Sequence, residues 1–265
     1  MFTINFNSYK MELSNRDKAE AIQNSIETET LAELGLINPN SYKQHNPNVA
    51  TGFKAILDLH EHMPMDKVYT NVVRKFQDGD IGFVHVDYFL FEPTVAFDIH
   101  RFENGVSVEH WDNLEINSKK LNKSGRTMTD GKTKAKDHLK TEVNKALAQN
   151  FVQNILIDGQ IELVSNYFMG DELIQHNPHM GDGVQEFLNR LEQWKKEGKS
   201  QIYNKIHKVL GEGNFVLVLS EGSFKGENVA FYDLYRIEED KIAEHWDVVE
   251  TIPIPEKRKN DNGKF

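Results

Sequence analysis

The sequence predicts an α+β fold of two tandem domains, each of which combines helices with a curved antiparallel sheet. Three observations predict this fold. Four sequence blocks occur twice in the same order, helix-type spacing of apolar residues opens each copy, and strand-type segments close each copy. Helices followed by consecutive strands are typical of α+β domains and not of the alternating elements of a Rossmann-type sheet.

The repeated blocks define the two copies. The short blocks are HNP, at 45–47 and 176–178, and EHWD, at 109–112 and 244–247. The longer blocks pair RKFQDGD with KVLGEGN, and VAFDIHRFENGVSVEHWD with AFYDLYRIEEDKIAEHWD. The offset between the copies grows only from 131 residues at HNP to 135 residues at EHWD. Four ordered matches at so steady an offset indicate a repeated domain.

Helices are predicted at the start of each copy. Ser14 followed by Asp17 is typical of an N-cap with an acidic first turn, so the first helix is expected from Ser14 to about Glu29. Helical spacing predicts its counterpart from Thr133 to about Ile157. A short second helix ends at HNP, because proline favours a turn there. Third helices are predicted near Gly52–His62 and Gly183–Glu197.

Four strands follow in each copy. Asn104-Gly105 and Asp78-Gly79 stand between apolar runs, which is typical of hairpin turns, and Glu212-Gly213 stands at the matching place in the second copy. The first four strands are predicted near Tyr69–Phe76, Ile81–Phe91, Thr94–Phe102 and Val106–Ile116. The second four are predicted near Tyr203–Leu210, Phe215–Phe224, Val229–Ile237 and Lys241–Thr251.

The predicted domains are residues 1–117 and 133–255, joined by a linker over 118–132 and followed by a flexible tail over 256–265. The linker is polar, basic and glycine-containing, which is typical of a solvated connector. The N-terminus lacks the basic start and apolar run of a signal peptide. No stretch reaches the roughly 18 apolar residues that a membrane-spanning helix needs. We therefore expect a cytoplasmic protein with no membrane partner.

Composition narrows the classes of function. With 265 residues, 38% of them hydrophobic and 10% aromatic, the chain can form one large or two ordinary globular domains. A net charge of −10 repels phosphate backbones, so no nucleic-acid partner is expected. The absence of cysteine excludes a disulfide scaffold, a thiolate metal site and a cysteine nucleophile. No H-E-x-x-H spacing, phosphate-binding loop or nucleophile elbow occurs, so no metal or cofactor is expected.

The order helix, HNP, helix, EGD-type turn, apolar strands, D-[IL]-x-R and EHWD resembles the SnoaL-like polyketide cyclases of the nuclear transport factor 2-like superfamily. The resemblance covers nearly the whole chain, twice. It implies a cone-shaped domain whose pocket is closed by helices, and relatives that dimerise through their sheets. The two copies are therefore expected to form an intramolecular pseudo-dimer. Because this superfold includes isomerases, dehydratases, cyclases and binding modules, the resemblance does not decide the activity.

Imidazoles and carboxylates recur at matching positions. Residues two apart in a strand share a face, so His110 and Asp112 are expected on one face and Trp111 on the other. A carboxylate beside an imidazole favours one tautomer and raises the imidazole pKa, and a desolvated carboxylate can act as a general base. The predicted catalytic residues are Asp98, His45 and His110, with Asp233, His176 and His245 in the second copy. The predicted ligand-binding residues are His85, His100, Asp112, Tyr235 and Asp247.

Each of these residues also has a structural interpretation. The turn histidines can anchor the turn, and the His–Asp pairs can be hydrogen bonds at a sheet interface. Asp98 can pin strands through an ion pair, although its odd spacing from Arg101 places the two on opposite faces of a regular strand. Trp111 and Trp246 are predicted to pack and not to stack on a substrate.

Three functions follow from this reading. The first is a cofactor-independent enzyme for cyclisation of aldol type, isomerisation or dehydration of a small apolar carbonyl compound, with Asp98 as the base and His45 and His110 orienting or protonating the enolate. The second is a non-catalytic module that binds a small molecule. The third is a structural or interaction unit whose side chains fill both cones. His85 and His100 give the first copy more polar residues that are candidates for the pocket than the second copy has. If only one copy is active, we therefore expect it to be the first.

Overall fold

The computed structural model describes residues 13–28, 31–63 and 68–265. Contacts divide the chain into two compact units. The first unit ends at Asp112 and also includes Pro253–Lys264, and the second consists of Asn113–Ile252 with Phe265. The predicted domain limits and the predicted pseudo-dimer stay predictions. Glu29, the predicted end of the first helix, lies outside the described residues.

The first unit begins with helices and continues with strands, as predicted. Its helices are α1 (Asn15–Thr28), α2 (Leu31–Leu34) and α3 (Phe53–Glu61). Its strands are β1 (Lys43–Gln44), β2 (Tyr69–Asp78), β3 (Ile81–Phe89), β4 (Pro93–Glu103) and β5 (Val106–Ile116).

The first sheet has the strand order β1-β5-β4-β3-β2. Strands β2, β3 and β4 are antiparallel neighbours, as predicted. The two-residue strand β1 is parallel to β5, with Lys43 beside Glu109 and Gln44 beside His110. Two residues are too few for a periodic pattern, so the sequence did not predict β1. This pairing places the HNP turn next to the EHWD block.

Helix α1 packs on β2 and β3. Its predicted N-cap is confirmed, because the Asp17 N–H donates to Ser14 Oγ at 3.3 Å. A Cβ at Gly82 would lie 2.3 Å from the backbone oxygen of Asn15, so only glycine allows the helix to approach β3 this closely. The face of the sheet that carries Gly82 is therefore the face that α1 covers.

The second unit repeats this order of elements. Its helices are α4 (Thr141–Phe151), continued by a π-helical segment (Val152–Ile157), and α5 (Val184–Lys196). Its strands are β6 (Ile174–Gln175), β7 (Gln201–Glu212), β8 (Phe215–Phe224), β9 (Glu227–Glu238) and β10 (Lys241–Thr251). The described part of the chain also has 3₁₀ segments at His138–Lys140, Ile161–Asn166 and Pro255–Lys257, the last of which belongs to the first unit.

The helix predicted from Thr133 begins later, because Asp137 has a left-handed backbone with φ of 55°. The second sheet has the order β6-β10-β9-β8-β7, and β6 is parallel to β10. Phe151 from α4 packs against Tyr235 at a ring-centroid distance of 5.6 Å. The predicted α+β class, with one sheet in each of two tandem units, is confirmed. Across the described ranges, no helix has the length and apolar character needed to cross a membrane.

Candidate functional site

An acid–imidazole pair lies on the helix-covered face of the first sheet. His110 on β5 points its Nε2 at Asp98 Oδ1 on β4, at 3.1 Å. The carboxylate of Asp112 belongs to the same cluster, whereas Trp111 stacks on His45. The prediction that His110 and Asp112 share a face and that Trp111 takes the other is confirmed.

Gln44 decides which nitrogen of His110 carries a proton. Its Oε1 accepts the Asn46 N–H at 2.9 Å, which identifies this atom as the amide oxygen. The same oxygen lies 2.9 Å from His110 Nδ1, so Nδ1–H must donate to it. The opposite nitrogen, Nε2, faces the Asp98 carboxyl. A hydrogen bond there needs one proton, which the imidazole and the carboxyl share.

Several polar atoms of this cluster lack a hydrogen bond. Asn46 Nδ2 donates to Asp112 Oδ2 at 2.8 Å, and His100 Nδ1 lies 3.0 Å from Ser107 Oγ. Asp98 Oδ2, Asp112 Oδ1 and His100 Nε2 are buried and have no close hydrogen-bond partner, although the Gln23 amide is a weak donor to the Asp98 carboxyl. Since such groups cost free energy when unsatisfied, they are the natural contacts for a bound polar group.

Burial and neighbouring charges shift the acidities of this cluster. Burial raises the pKa of Asp98 above its ordinary value, and its hydrogen bond to His110 opposes the rise. Burial acts to lower the pKa of His110, but the hydrogen bond to Asp98 and the charge of Asp112 outweigh it and raise that pKa. Burial and the nearby His110 hold the pKa of His100 well below its ordinary value, so His100 is neutral near pH 7.

The second unit builds the same pair. His245 Nε2 lies 2.9 Å from Asp233 Oδ1, and its Nδ1 lies 3.0 Å from Gln175 Oε1. The Asn177 N–H donates to that Gln175 oxygen at 3.0 Å, so Nδ1–H of His245 must again be the donor. Burial acts to lower the pKa of His245, but Asp233 and the charge of Asp247 raise it.

The surroundings of the second pair differ from those of the first. The Tyr203 hydroxyl lies 3.2 Å from both oxygens of Asp233. Tyr235 stacks on His245, at the position that His100 takes in the first unit, with 4.9 Å between the ring centroids. The cavity beside them has room for about one water molecule. Its lining includes Phe151, Phe187, Tyr203, Asp233, Tyr235 and His245.

The structure does not bring the HNP histidines into these clusters. His45 Nε2 lies 2.8 Å from Glu109 Oε1, and its Nδ1 lies 2.8 Å from the carbonyl oxygen of Gly263. Its counterpart His176 contacts Glu244 and stacks on Trp246 at 4.6 Å. Burial lowers the pKa of His45, despite the opposing bond to Glu109. These contacts are those of an anchor between a turn, a strand and a tryptophan.

Two further expectations concern side chains outside the pairs. Arg101 does not contact Asp98. Its Nε donates to Glu109 Oε2 at 2.9 Å, which agrees with the odd spacing of Asp98 and Arg101. His85 lies directly across from Phe97 in the sheet, so its side chain is on the face opposite Asp98, where it contacts Arg74. The structure therefore places His85 apart from the acid–imidazole pair.

The clusters also contain the ligand types of a divalent cation. The nearest oxygen and nitrogen atoms of Asp98, His110 and Asp112 lie within 4.8 Å of one another, and the second unit has the matching set Asp233, His245 and Asp247. The direct Asp98–His110 hydrogen bond accounts for the first set as an acid–imidazole pair. A lysine ammonium, that of Lys264, lies 3.8 Å from Asp112 Oδ1, and its charge disfavours a second cation there.

Sequence reasoning missed the residues that orient the pairs. Gln44 and Gln175 fix the histidine tautomers, Asn46 and Asn177 hold the second carboxylates, and Glu109 with Glu244 binds the turn histidines. The signal was present, because all six lie in the repeated QHNP and EHWD blocks. Their roles depend on the parallel pairing of β1 with β5 and of β6 with β10.

Comparisons with known proteins concern the fold. No family model and no curated protein matches the chain. One solved structure, an NTF2-like protein of unknown function from Cytophaga hutchinsonii, is 16% identical and covers 39% of this chain and 92% of its own, with a TM-score of 0.34. IdmH from Streptomyces antibioticus, a candidate polyketide cyclase, is 12% identical and covers 40% and 91%, with a TM-score of 0.33. A candidate ketosteroid isomerase from Kribbella flavida is 19% identical and covers 46% and 91%, with a TM-score of 0.35.

Proposed function

We propose that the chain is a cofactor-independent enzyme that moves a proton next to the carbonyl group of a small apolar compound, leading to isomerisation, dehydration or cyclisation of aldol type. The observation that carries the proposal is the buried Asp98–His110 pair, which holds a single proton because Gln44 occupies the other ring nitrogen. In this proposal Asp98 is the base and His110 positions it.

The chemistry uses the atoms of the first unit that lack hydrogen bonds. Asp98 Oδ2 takes the proton from the carbon next to the carbonyl. The electron pair of the C–H bond forms the C=C bond of an enolate, and the π electrons of the carbonyl move to its oxygen. His100 is neutral and buried, and its Nε2 is the candidate donor to that oxygen. Asp98 then returns the proton to another carbon in isomerisation, or to a departing hydroxide, which leaves as water, in dehydration. In cyclisation the enolate carbon attacks a second carbonyl, and Asp98 gives the proton to the alkoxide that forms.

The substrate class follows from the surroundings of the pair. Unpaired charged groups are costly in a buried site, so a neutral carbonyl compound fits better than an ionic one. Phe102 packs near His100, at a ring-centroid distance of 6.1 Å, and Tyr42 stacks on His110 at 6.4 Å. Aromatic neighbours of this kind favour an apolar substrate body.

A second candidate function, a binding module without catalysis, is favoured by one observation in the second unit. There the Tyr203 hydroxyl occupies both oxygens of Asp233, so this acid is already held by protein groups. If both Asp98 and Asp233 titrated near the ordinary aspartate pKa of about 3.9, this second function would be favoured.

Replacing Asp98 by asparagine tests the proposal. Asp98→Asn keeps an oxygen that can accept from His110 but removes the base. We expect it to slow deuterium uptake at the carbon next to the carbonyl of 2-tetralone, followed by NMR in D₂O with EDTA present, by about 10²–10⁴-fold. Asp233→Asn is expected to change the rate less, because Tyr203 already binds that carboxylate.

The matched control is Asp58→Asn. Asp58 is an exposed aspartate whose carboxylate pairs with Lys54, so its removal should leave uptake unchanged. An Asp98→Asn rate equal to the wild-type rate would show that Asp98 is not the base. If the wild-type protein exchanges neither 2-tetralone nor a panel of small ketones above the buffer rate, the binding module becomes the better description.

The tandem origin belongs to the same proposal. Both units have the same strand order and the same Gln–His–Asp set, which supports two copies of one SnoaL-like domain. In this view the two copies diverged at the pair, where the second copy has Tyr203 and Tyr235.

A further inference from the structure

The C-terminal segment brings a cation to the site of the first unit. The side chain of Lys264 is only 2% exposed, and its Nζ lies 3.8 Å from Asp112 Oδ1. The preceding carbonyl, that of Gly263, accepts the hydrogen bond of His45 Nδ1 at 2.8 Å. Further hydrogen bonds from this segment to the HNP turn are Lys259 N to Pro47 O, Asn260 Nδ2 to Asn46 O, and Asn262 Nδ2 to Gln44 O. The segment that carries Lys264 is therefore held against the HNP turn.

The second unit has a different residue at the corresponding position. The carbonyl of Thr127 lies 2.9 Å from His176 Nδ1, as that of Gly263 does from His45, and the next residue is the buried Met128. The carboxylate of Asp247 instead lies near another acid. Burial and the charge of Asp247 raise the pKa of Glu115 to about 8. In the first site an ammonium, that of Lys264, lies beside Asp112. In the second site a carboxyl group, that of Glu115, lies near Asp247.

We propose that Lys264 is a positioning residue of the first site, whose buried charge makes the proton of the Asp98–His110 pair easier to release, so that proton transfer operates in the first unit and not in the second. The role of Lys264 in proton transfer rests on the proposed function. The electrostatic effect of Lys264 on His110 is independent of the proposed function.

The groups that face His110 account for this effect. Asp98 and His100 come from β4, Asp112 from β5, Tyr42 from the segment before β1, and Lys264 from the C-terminal segment. Asp98 and Asp112 raise the pKa of His110, and the charge of Lys264 lowers it.

At the second site, Asp233 and Asp247 both raise the pKa of His245. The two histidines therefore have the same hydrogen bonds but different charges around them. Among the described residues, only the first site has a lysine ammonium that opposes the rise in the histidine pKa.

A histidine titration of the full-length protein tests the proposal. Lys264→Met installs the residue type that the second unit has at Met128, and Lys264→Arg retains the charge. With ¹³C-labelled histidine and assignment by His110→Gln and His245→Gln, we expect the Lys264→Met substitution to move the titration of His110 to higher pH. The titration of His245 serves as an internal control and should not move, and Lys264→Arg should leave both in place.

The other outcomes overturn the proposal. Equal shifts in the titration of His110 in Lys264→Met and Lys264→Arg would show that the segment acts through packing and not charge. No shift in either variant would show that Lys264 is not coupled to His110.

Deuterium uptake separates this inference from the proposed function. If Lys264→Met moves the titration but Asp98→Asn leaves uptake unchanged, the proposed function fails and Lys264 loses its positioning role. If uptake needs Asp98 but the titration is unmoved, only the role of Lys264 fails.

Discussion

At the scale of single residues, a neutral amide determines the chemistry of a charged pair. Gln44 and Gln175 each accept backbone N–H groups, which leaves their oxygens facing the histidine rings in one orientation. Each ring must then donate from Nδ1 and present Nε2 to a carboxyl. A positioned acceptor of this kind sets the tautomer and so decides where the shared proton lies.

The tautomer is directly measurable. Two-bond ¹H–¹⁵N spectra at pH 7 are expected to show protonated Nδ1 in both His110 and His245. Replacing Gln44 by leucine removes the acceptor of His110 alone, so the other neutral tautomer should then appear at His110 while His245 keeps its original pattern. An unprotonated Nδ1 in the wild-type protein would contradict the assignment.

Glu115 gives a prediction about stability. Its pKa rises from 4.5 to about 8 in the folded chain, so the folded state binds this proton more tightly than the unfolded state. Its contribution to stability therefore falls as pH rises from about 4.5 through about 8. Glu115→Gln removes the charge but keeps an oxygen for the Val249 N–H, which now donates to Glu115 at 2.9 Å.

We expect the free energy of unfolding of Glu115→Gln, relative to wild type, to increase by at least about 1 kcal/mol between pH 6 and pH 9. Urea unfolding at the two pH values measures it. Glu227→Gln is the control, an exposed acid whose substitution should give the same difference at both pH values. If the difference in the free energy of unfolding between Glu115→Gln and wild type is also the same at pH 6 and pH 9, Glu115 is ionised in the folded chain at pH 6.

At the scale of elements, the two-residue strands have the largest consequence for the site. Strand β1 sets Gln44 beside His110, and β6 sets Gln175 beside His245. The long antiparallel strands supply the carboxylates, and in the second unit Asp233 lies directly across from Asp247. Helix α1 then covers the face on which the first pair lies, because Gly82 allows it to approach.

Gly82→Ala is the matching prediction. The added Cβ would meet the backbone of α1 at 2.3 Å, and neither backbone can give way cheaply. We expect the free energy of unfolding to fall by about 1–3 kcal/mol, measured by urea denaturation. Gly181→Ala is the control, because its Cβ would first meet the Ser124 side chain at 3.2 Å, which can move. Equal effects of the two substitutions would contradict the close packing of α1.

At the scale of the whole molecule, the chain presents the same arrangement twice with different surroundings. Each unit has a five-stranded sheet and a Gln–His–Asp set. The segment 118–132, predicted to be a solvated connector, contributes the buried side chains of Asn122 and Met128 to the second unit. The segment 253–264 belongs to the first unit, where it carries Lys264. The two sites therefore differ both outside the repeated blocks, as at Lys264, and within them, as at His100 and Tyr235.

By itself, the sequence determined the repeat, the α+β class, the long strands and the shared face of His110 and Asp112. These features follow from local periodicity and from side-chain alternation, which depend on near neighbours along the chain. Only the tertiary structure decided that His45 and His85 lie away from the pair, that Gln44 sets the tautomer, and that Lys264 reaches Asp112. Each of these depends on two segments far apart in sequence, and no periodic pattern within one segment specifies which distant segment it will meet.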